Sequence, residues 1–308
     1  MLPTELAGWI SGRLGPVSEP ELISESNSRV WRVRDRRGRP FAVKHLTDRS
    51  SRIEAEETVR RLLAERGNRR VGPILARWRN PDGTHYVLTE HRDGRVLGDA
   101  LGEAGPVAGW AAQLADLLDA VAGIPAAGFG KLSGDLRAPW PTWSSFLLGY
   151  AEEQRRKAPA LAAARYRAVQ AVLTEAAPLL DAAAPSPMLV AADINNRNFV
   201  IGSEGLVCVN LPVLWGGDPA IAYGQSLLHW AGTEGEAVLA RRAGAPGWLL
   251  HFYAAFHAYV ILAYAERFAP QPWQEVSPWG RPTPLLDLLD RHLAQVRLPR
   301  AAAKGVSP

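Results

Sequence analysis

Asp193 and Asn198 stand five positions apart in the stretch LVAADINNRNFVI, a polar turn set between two apolar runs. Further on, Asn210 closes the β-branched run VCVNLPV. A carboxylate that accepts a proton and two neutral amide groups make two halves of one polar site once adjacent strands bring these runs together. A lone D-x-x-x-x-N is far more often a loop cap, and its place between strand-like runs is what gives it weight. A second source of chemistry is aromatic: the chain carries 11 tryptophans, whose rings offer large stacking area at low entropic cost. His251 and His257 are six positions apart, which is not the i,i+4 spacing of a helical metal pair, so they belong to the core or a cleft. Cys208 is the sole cysteine, which rules out an intrachain disulfide and a thiolate metal cage.

The elements that must position these groups fall into two kinds. Residues 4–14 predict a short amphipathic helix. ELISES, SRVWRVRD and PFAVKHL then alternate or cluster apolar residues as strands do, with RRGR as a turn. RIEAEETVRRLLAER, from Arg52 to Arg66, has helical periodicity with acidic residues early and basic ones late, and Gly67 ends it. VGPILARWRN and THYVLTEHRDG complete a five-stranded antiparallel sheet. Beyond Gly94 the chain turns to Ala- and Leu-rich helices over 106–123, 141–182, 219–242 and 247–267, interrupted at 187–217 by a strand-loop-strand pattern. The expected organisation is a sheet lobe over 1–93 with one helix, a helical lobe over 94–299, and a frayed tail over 300–308.

Composition narrows the function. At 308 residues, with 47% apolar and 21% charged side chains, the chain supports two lobes with sizeable cores. The N-terminus lacks the basic-then-apolar pattern of a secretory signal, and the longest apolar region, WLLHFYAAFHAYVILAY, is broken by histidines and short of a bilayer span. The sequence therefore predicts a cytoplasmic protein with no membrane partner. Net charge is +4, concentrated in the turn RVRDRRGRP, and no basic-plus-aromatic nucleic-acid signature accompanies it. A nucleic-acid partner is not expected, and a strongly cationic substrate is disfavoured. Nothing in the sequence sets an oligomeric state.

In order along nearly the whole chain, SNSRVWRV, FAVKHL, AEETVRRLLAERG, LTEHRDG, FGKLSGD with WPTWSSF, AADINNRNFVI, VCVNLPV and GGDPAIAYG match the landmarks of one family. The chain resembles the aminoglycoside phosphotransferase and choline kinase-like family, which implies an α+β, bilobal protein kinase-like fold. By that resemblance Lys44 neutralises nucleotide phosphates and Glu57 pairs with it, with Glu54 and Glu56 as neighbouring alternatives. Thr89, Glu90 and His91 fall at the hinge, where backbone groups meet a purine. Asp193 is the counterpart of the catalytic base, and Asn198 of a metal-holding amide.

The departures from the pattern bear on function. The family's HGD is AAD here, so Ala191 replaces a histidine and Ala192 a glycine. Asn210 stands where the family has a metal-binding aspartate, and Ala222 where it has a further aspartate. Replacing a carboxylate by an amide keeps shape and removes the charge that hard Mg²⁺ requires. The first reading is therefore a degenerate phosphotransferase-like protein that sequesters a bulky apolar or aromatic natural product, needs no cofactor, and gives self-resistance. Its expected wall is Trp140, Trp143, Trp215, Trp230 and Trp273, with Trp279 in the same C-terminal part. The alternative is an active small-molecule O-phosphotransferase using ATP and Mg²⁺, with Asp193 as base and Asn198 and Asn210 sharing the metal. A regulatory pseudokinase acting on a protein partner is the third.

Overall fold

In the computed structural model, which describes residues 4–25, 28–46, 52–158, 160–211, 213–268, 275–276 and 283–299, each alternating apolar segment of the N-terminal third is a strand. The chain runs α1 (Thr4–Leu14), β1 (Glu21–Glu25), β2 (Ser28–Arg34), β3 (Pro40–Leu46), α2 (Arg52–Glu65), β4 (Ile74–Arg79), β5 (His85–Glu90) and β6 (Arg95–Val96). There follow α3 (Leu97–Ala100), α4 (Val107–Ala122), β7 (Gly130–Lys131), α5 (Trp143–Lys157), α6 (Ala160–Ala183) and β8 (Met188–Ala191). Then come β9 (Phe199–Gly202), β10 (Gly205–Cys208), β11 (Leu214–Gly217), α7 (Ala220–Trp230), α8 (Glu234–Arg242), α9 (Gly247–Phe268), β12 (Glu275–Val276), β13 (Thr283–Pro284) and α10 (Leu285–Gln295).

Two compact units result. The first comprises 1–97, 132–136 and 197–214, the second 98–131, 137–196 and 215–308. In the first, the antiparallel sheet has the order β1-β2-β3-β5-β4. Its inward residues Trp31, Val33, Phe41, Val43, Tyr86 and Leu88 pack with Leu6 and Ile10 of α1. Period-two alternation on the strands and the i,i+4 pair on the helix put these residues on facing surfaces. Gly67 takes φ +76°, the left-handed conformation that closes α2.

The boundary falls elsewhere than the expected division at 93/94. The strands β9 and β10, read from sequence as embedded among helices, join the first unit. Arg95 and Val96 pair with Ile201 and Val200, and the Cys208 amide donates to the Arg70 carbonyl at 2.8 Å. These pairings are non-local, so the local pattern carries no trace of them.

The second unit is helical, with a short sheet of order β7-β11-β8. Two long predicted helices are each divided, 141–182 into α5 and α6 and 219–242 into α7 and α8, and α10 is an addition that the sequence reading lacked. By length and composition α9 is long enough and apolar enough to cross a membrane, contrary to the expectation. Most of that stretch is buried inside the protein, where Phe252, Tyr253, Phe256 and Tyr259 serve as core.

Buried imidazoles lie in this core. Burial pushes His229 down to about 4 and His257 well below the usual range, and His292, whose Nδ1 lies 3.0 Å from His251 Nδ1, falls to about 4 through burial and then the His251 charge. An unfolded histidine binds its proton near 6.5, so the unfolded state gains protons first as pH falls. Stability is therefore full above about pH 6.5 and is lost towards pH 4, by roughly 3 kcal/mol for His229 alone. NMR titration of the folded protein is expected to show His229 titrating near 4; a midpoint near 6.5 contradicts this.

Candidate functional site

Lys44 lies on β3 between Val30 of β2 and Val87 of β5. Its Nζ donates to Asn210 Oδ1 at 2.6 Å, and Asn210 Nδ2 donates to Asn198 Oδ1 at 2.8 Å. The Val209 amide donates to the Asn198 carbonyl at 2.9 Å, which fixes the two asparagines against each other through the main chain as well. An ammonium has only donors, so Asn210 must turn its oxygen to Lys44 and its NH₂ to Asn198. The structure thus brings together three sequence-predicted residues, Lys44, Asn198 and Asn210, in one hydrogen-bonded chain.

This chain does not fit Mg²⁺. The ion needs oxygen ligands, preferably carboxylate. Here both amide oxygens already accept hydrogen bonds, and both belong to neutral groups. A divalent ion on Asn210 Oδ1 would also meet the Lys44 ammonium about 4 Å away, a repulsion of the order of 8 kcal/mol at an effective dielectric near 20 before side chains move. Among the described residues no group of three or more His, Cys, Asp or Glu is placed to hold a metal.

Glu57 is corrected. It lies on the outer side of α2, where its carboxylate is 3.9 Å from Arg77 Nη1. The buried carboxylate of that turn is Glu56, which accepts from Arg60 Nε at 2.8 Å and from the Leu211 amide at 3.3 Å. The reason is helical phase: Ile53, Glu56, Val59, Arg60 and Leu63 form the buried stripe, and Glu57 falls outside it.

Thr89 and Glu90 end β5, and His91 follows. The His91 amide donates to the Pro40 carbonyl at 3.1 Å, Glu90 pairs with Arg92 at 2.9 Å, and His91 Nε2 lies 3.2 Å from Asp93 Oδ1.

In the second unit, Asp193 is half-buried on the loop after β8. Helix α7 supports that loop on both sides of Asp193: Gln225 Nε2 donates to the Ala192 carbonyl at 3.0 Å, and Asn196 Nδ2 donates to the His229 carbonyl at 2.9 Å. Sequence reasoning missed another carboxylate in the same unit, Asp218. It accepts from Tyr253 Oη at 2.7 Å and from the Ala220 amide at 2.9 Å, and Tyr253 in turn accepts from Trp143 Nε1 at 2.8 Å. Burial pushes the Asp218 carboxyl up despite these bonds. An Asp-Pro pair just ahead of a helical run was the available signal, since such residues satisfy the first free amides of a helix.

The expected aromatic wall is largely core. Trp143 and Trp230 are 0% exposed and Trp215 is 2% exposed, whereas Trp140 is 37% exposed. The buried indoles fill space left by glycines: a Cβ on Gly217 would come within 2.3 Å of Trp143, and one on Gly235 within 2.4 Å of Trp230. Trp273 and Trp279 lie outside the described residues. Around Trp140 the surface is aromatic, with Phe146 beneath it and Tyr150 stacked on Phe146, and Lys131 Nζ lies 4.8 Å from the Tyr150 ring centre.

No protein-family model matches the chain, and no curated protein matches it in sequence. Solved structures match in fold. Aminoglycoside phosphotransferase APH(4)-Ia superposes with a TM-score of 0.72 at 16% identity, covering 94% of this chain and 98% of that one. The GDP and kanamycin complex of APH(2")-IIia gives 0.63 at 15% identity, over 95% and 99% of the two chains. A candidate fructosamine-3-kinase from Haemophilus somnus 129PT gives 0.65 at 13% identity, over 94% and 96%.

Proposed function

We propose that this chain, which has the kinase-like fold of the aminoglycoside phosphotransferases, is a binding protein that sequesters a small natural product and performs no magnesium-dependent phosphoryl transfer. The observation that supports this most is the hydrogen-bonded chain Lys44–Asn210–Asn198, which commits the amide oxygens a metal would need. Phosphoryl transfer rests on positioning and charge neutralisation, and without its metal little of the rate enhancement remains. Fold alone assigns no chemistry, so the altered site outweighs the shared architecture.

The ligand is a bulky apolar or aromatic molecule, and its contact in this reading is the exposed face of Trp140 rather than the five indoles expected from sequence. Solved neighbours bind hygromycin B with ADP, and kanamycin with GDP. The net charge of +4 favours a less cationic ligand for this chain. The rival reading, an ATP-dependent O-phosphotransferase with Asp193 as base, draws support from the retention of Asp193, Lys44 and Asn198.

A fluorescence titration with a panel of aromatic natural-product antibiotics tests the reading. At least one compound is expected to quench tryptophan emission and raise the melting temperature, with affinity falling at least tenfold in Trp140→Leu, while ATP with Mg²⁺ gives no thermal shift. A thermal shift with ATP and Mg²⁺ and none with any compound would overturn it.

A further inference from the structure

Lys44 and Glu56 meet adjacent residues. Lys44 Nζ donates to the Asn210 side chain at 2.6 Å, and Glu56 accepts from the amide of Leu211 at 3.3 Å. The two charges thus flank one short segment, yet Glu56 is held by another cation. Arg60, one helical turn along α2, donates through Nε to Glu56 Oε1 at 2.8 Å and approaches it through Nη2 at 2.7 Å. The same guanidinium donates to the Gly72 carbonyl at 2.6 Å and to the Val209 carbonyl at 3.4 Å. The Arg60 side chain is 4% exposed. Glu56 and Arg60 together therefore grip the main chain on both sides of Asn210, at Val209 and at Leu211.

We infer that Arg60 is a lock: it holds Glu56 away from Lys44 and fixes the 209–211 segment so that the Asn210 amide stays on Lys44, which keeps the nucleotide-binding arrangement unmade. The lock rests on the reading of the chain as a protein that does not use nucleotide. In kinases a strand lysine and a helix glutamate must pair before phosphates are held productively. Here the helix supplies its own competitor. A guanidinium is suited to the task because its fork spans a carboxylate and two carbonyls at once, which a lysine at the same position could not do. Burial strengthens the hold, since Glu56 cannot leave Arg60 without stranding the buried guanidinium charge unpaired. Arg60 is accordingly a positioning residue that acts through Glu56, and what it governs is whether the first unit accepts a nucleotide.

Releasing the lock should produce a gain, which damage to the fold does not imitate. In Arg60→Met, Glu56 is free to pair with Lys44 and draw its ammonium off Asn210. ADP binding in the presence of EDTA, measured by calorimetry on the full chain, should tighten at least tenfold over the unaltered protein. Adding Glu56→Gln to that variant should remove the gain. Arg60→Gln, which is shorter but keeps a donor without the charge, serves as a second variant and should show a smaller gain. In the unaltered chain the Arg60 Nε–H should exchange slowly with solvent and remain unchanged on adding ADP. If the variants fold and bind ADP no better than the parent, or if the double variant keeps the gain, the lock is wrong. Should both single variants fail to fold, the exchange measurement decides, and a fast-exchanging Nε–H overturns it. Tight ADP or MgATP binding by the unaltered chain instead overturns the underlying reading, so the two failures are distinguishable.

Discussion

Asn210→Asp is expected to make the chain's nucleotide affinity depend on magnesium, a dependence the unaltered chain lacks. The substitution leaves the size of the side chain unchanged and places a carboxylate between Lys44 and Asn198, whose atoms already lie 2.6 and 2.8 Å from the Asn210 amide. One oxygen can keep the Lys44 contact as a charge-assisted bond. The other replaces an NH₂ that points at Asn198, so Asn198 Oδ1 is released and two oxygens become available to one cation. A charge-assisted contact contributes roughly 1.5–3 kcal/mol, so the affinity for ATP with Mg²⁺ over ATP with EDTA should rise about 10- to 100-fold. Calorimetry with and without Mg²⁺ measures it. An unchanged ratio means that position 210 does not limit metal binding and removes the main support for the binding-protein reading.

Trp143→Ala is expected to destabilise the second unit by roughly 3–5 kcal/mol, the usual loss for a buried tryptophan truncated to alanine. The ring is fully buried against Phe129, Phe146, Trp215 and Tyr253, and its Nε1 is the donor that Tyr253 accepts before donating to Asp218. The substitution opens a cavity and also takes a partner from a buried hydroxyl, and the two effects add to each other. Trp143→Phe, which keeps most of the packing, should lose markedly less. Urea unfolding measures both. Were Trp143 part of a ligand wall, ligand affinity would collapse with stability nearly intact, and that outcome contradicts its assignment to the core.

Several features of the fold were legible in the sequence. The sheet was readable because its strands alternate and its turns carry Gly or Pro-Asp-Gly, both local signals. Helix α2 was equally readable, and its periodicity departs from the family landmark that points to Glu57: Ile53, Val59 and Leu63 place Glu56 and Arg60 as the inward polar pair. The tryptophans were misplaced for another reason. Their number says nothing about exposure, whereas the close approach of the glycines that accommodate them, Gly217 far along the chain from Trp143 and Gly235 in the helix after the one that Trp230 ends, shows only in three dimensions. The membership of β9 and β10 in the first unit depends on pairing with β6 and on Cys208 meeting Arg70, contacts over long stretches of chain. For the candidate site, the loss of charge at Asn210 was visible from sequence. The direction of its amide was not, because that depends on which donor, Lys44, reaches it first.

Whether the protein binds its ligand without transferring phosphate is decided by incubating the unaltered protein with ATP, Mg²⁺ and a panel of hydroxylated and aromatic natural products, with every small molecule weighed by mass spectrometry. ATP should remain intact, and each bound compound should be recovered at its original mass. A product heavier by one phosphoryl group, absent when Asp193→Asn replaces the unaltered chain, would contradict this.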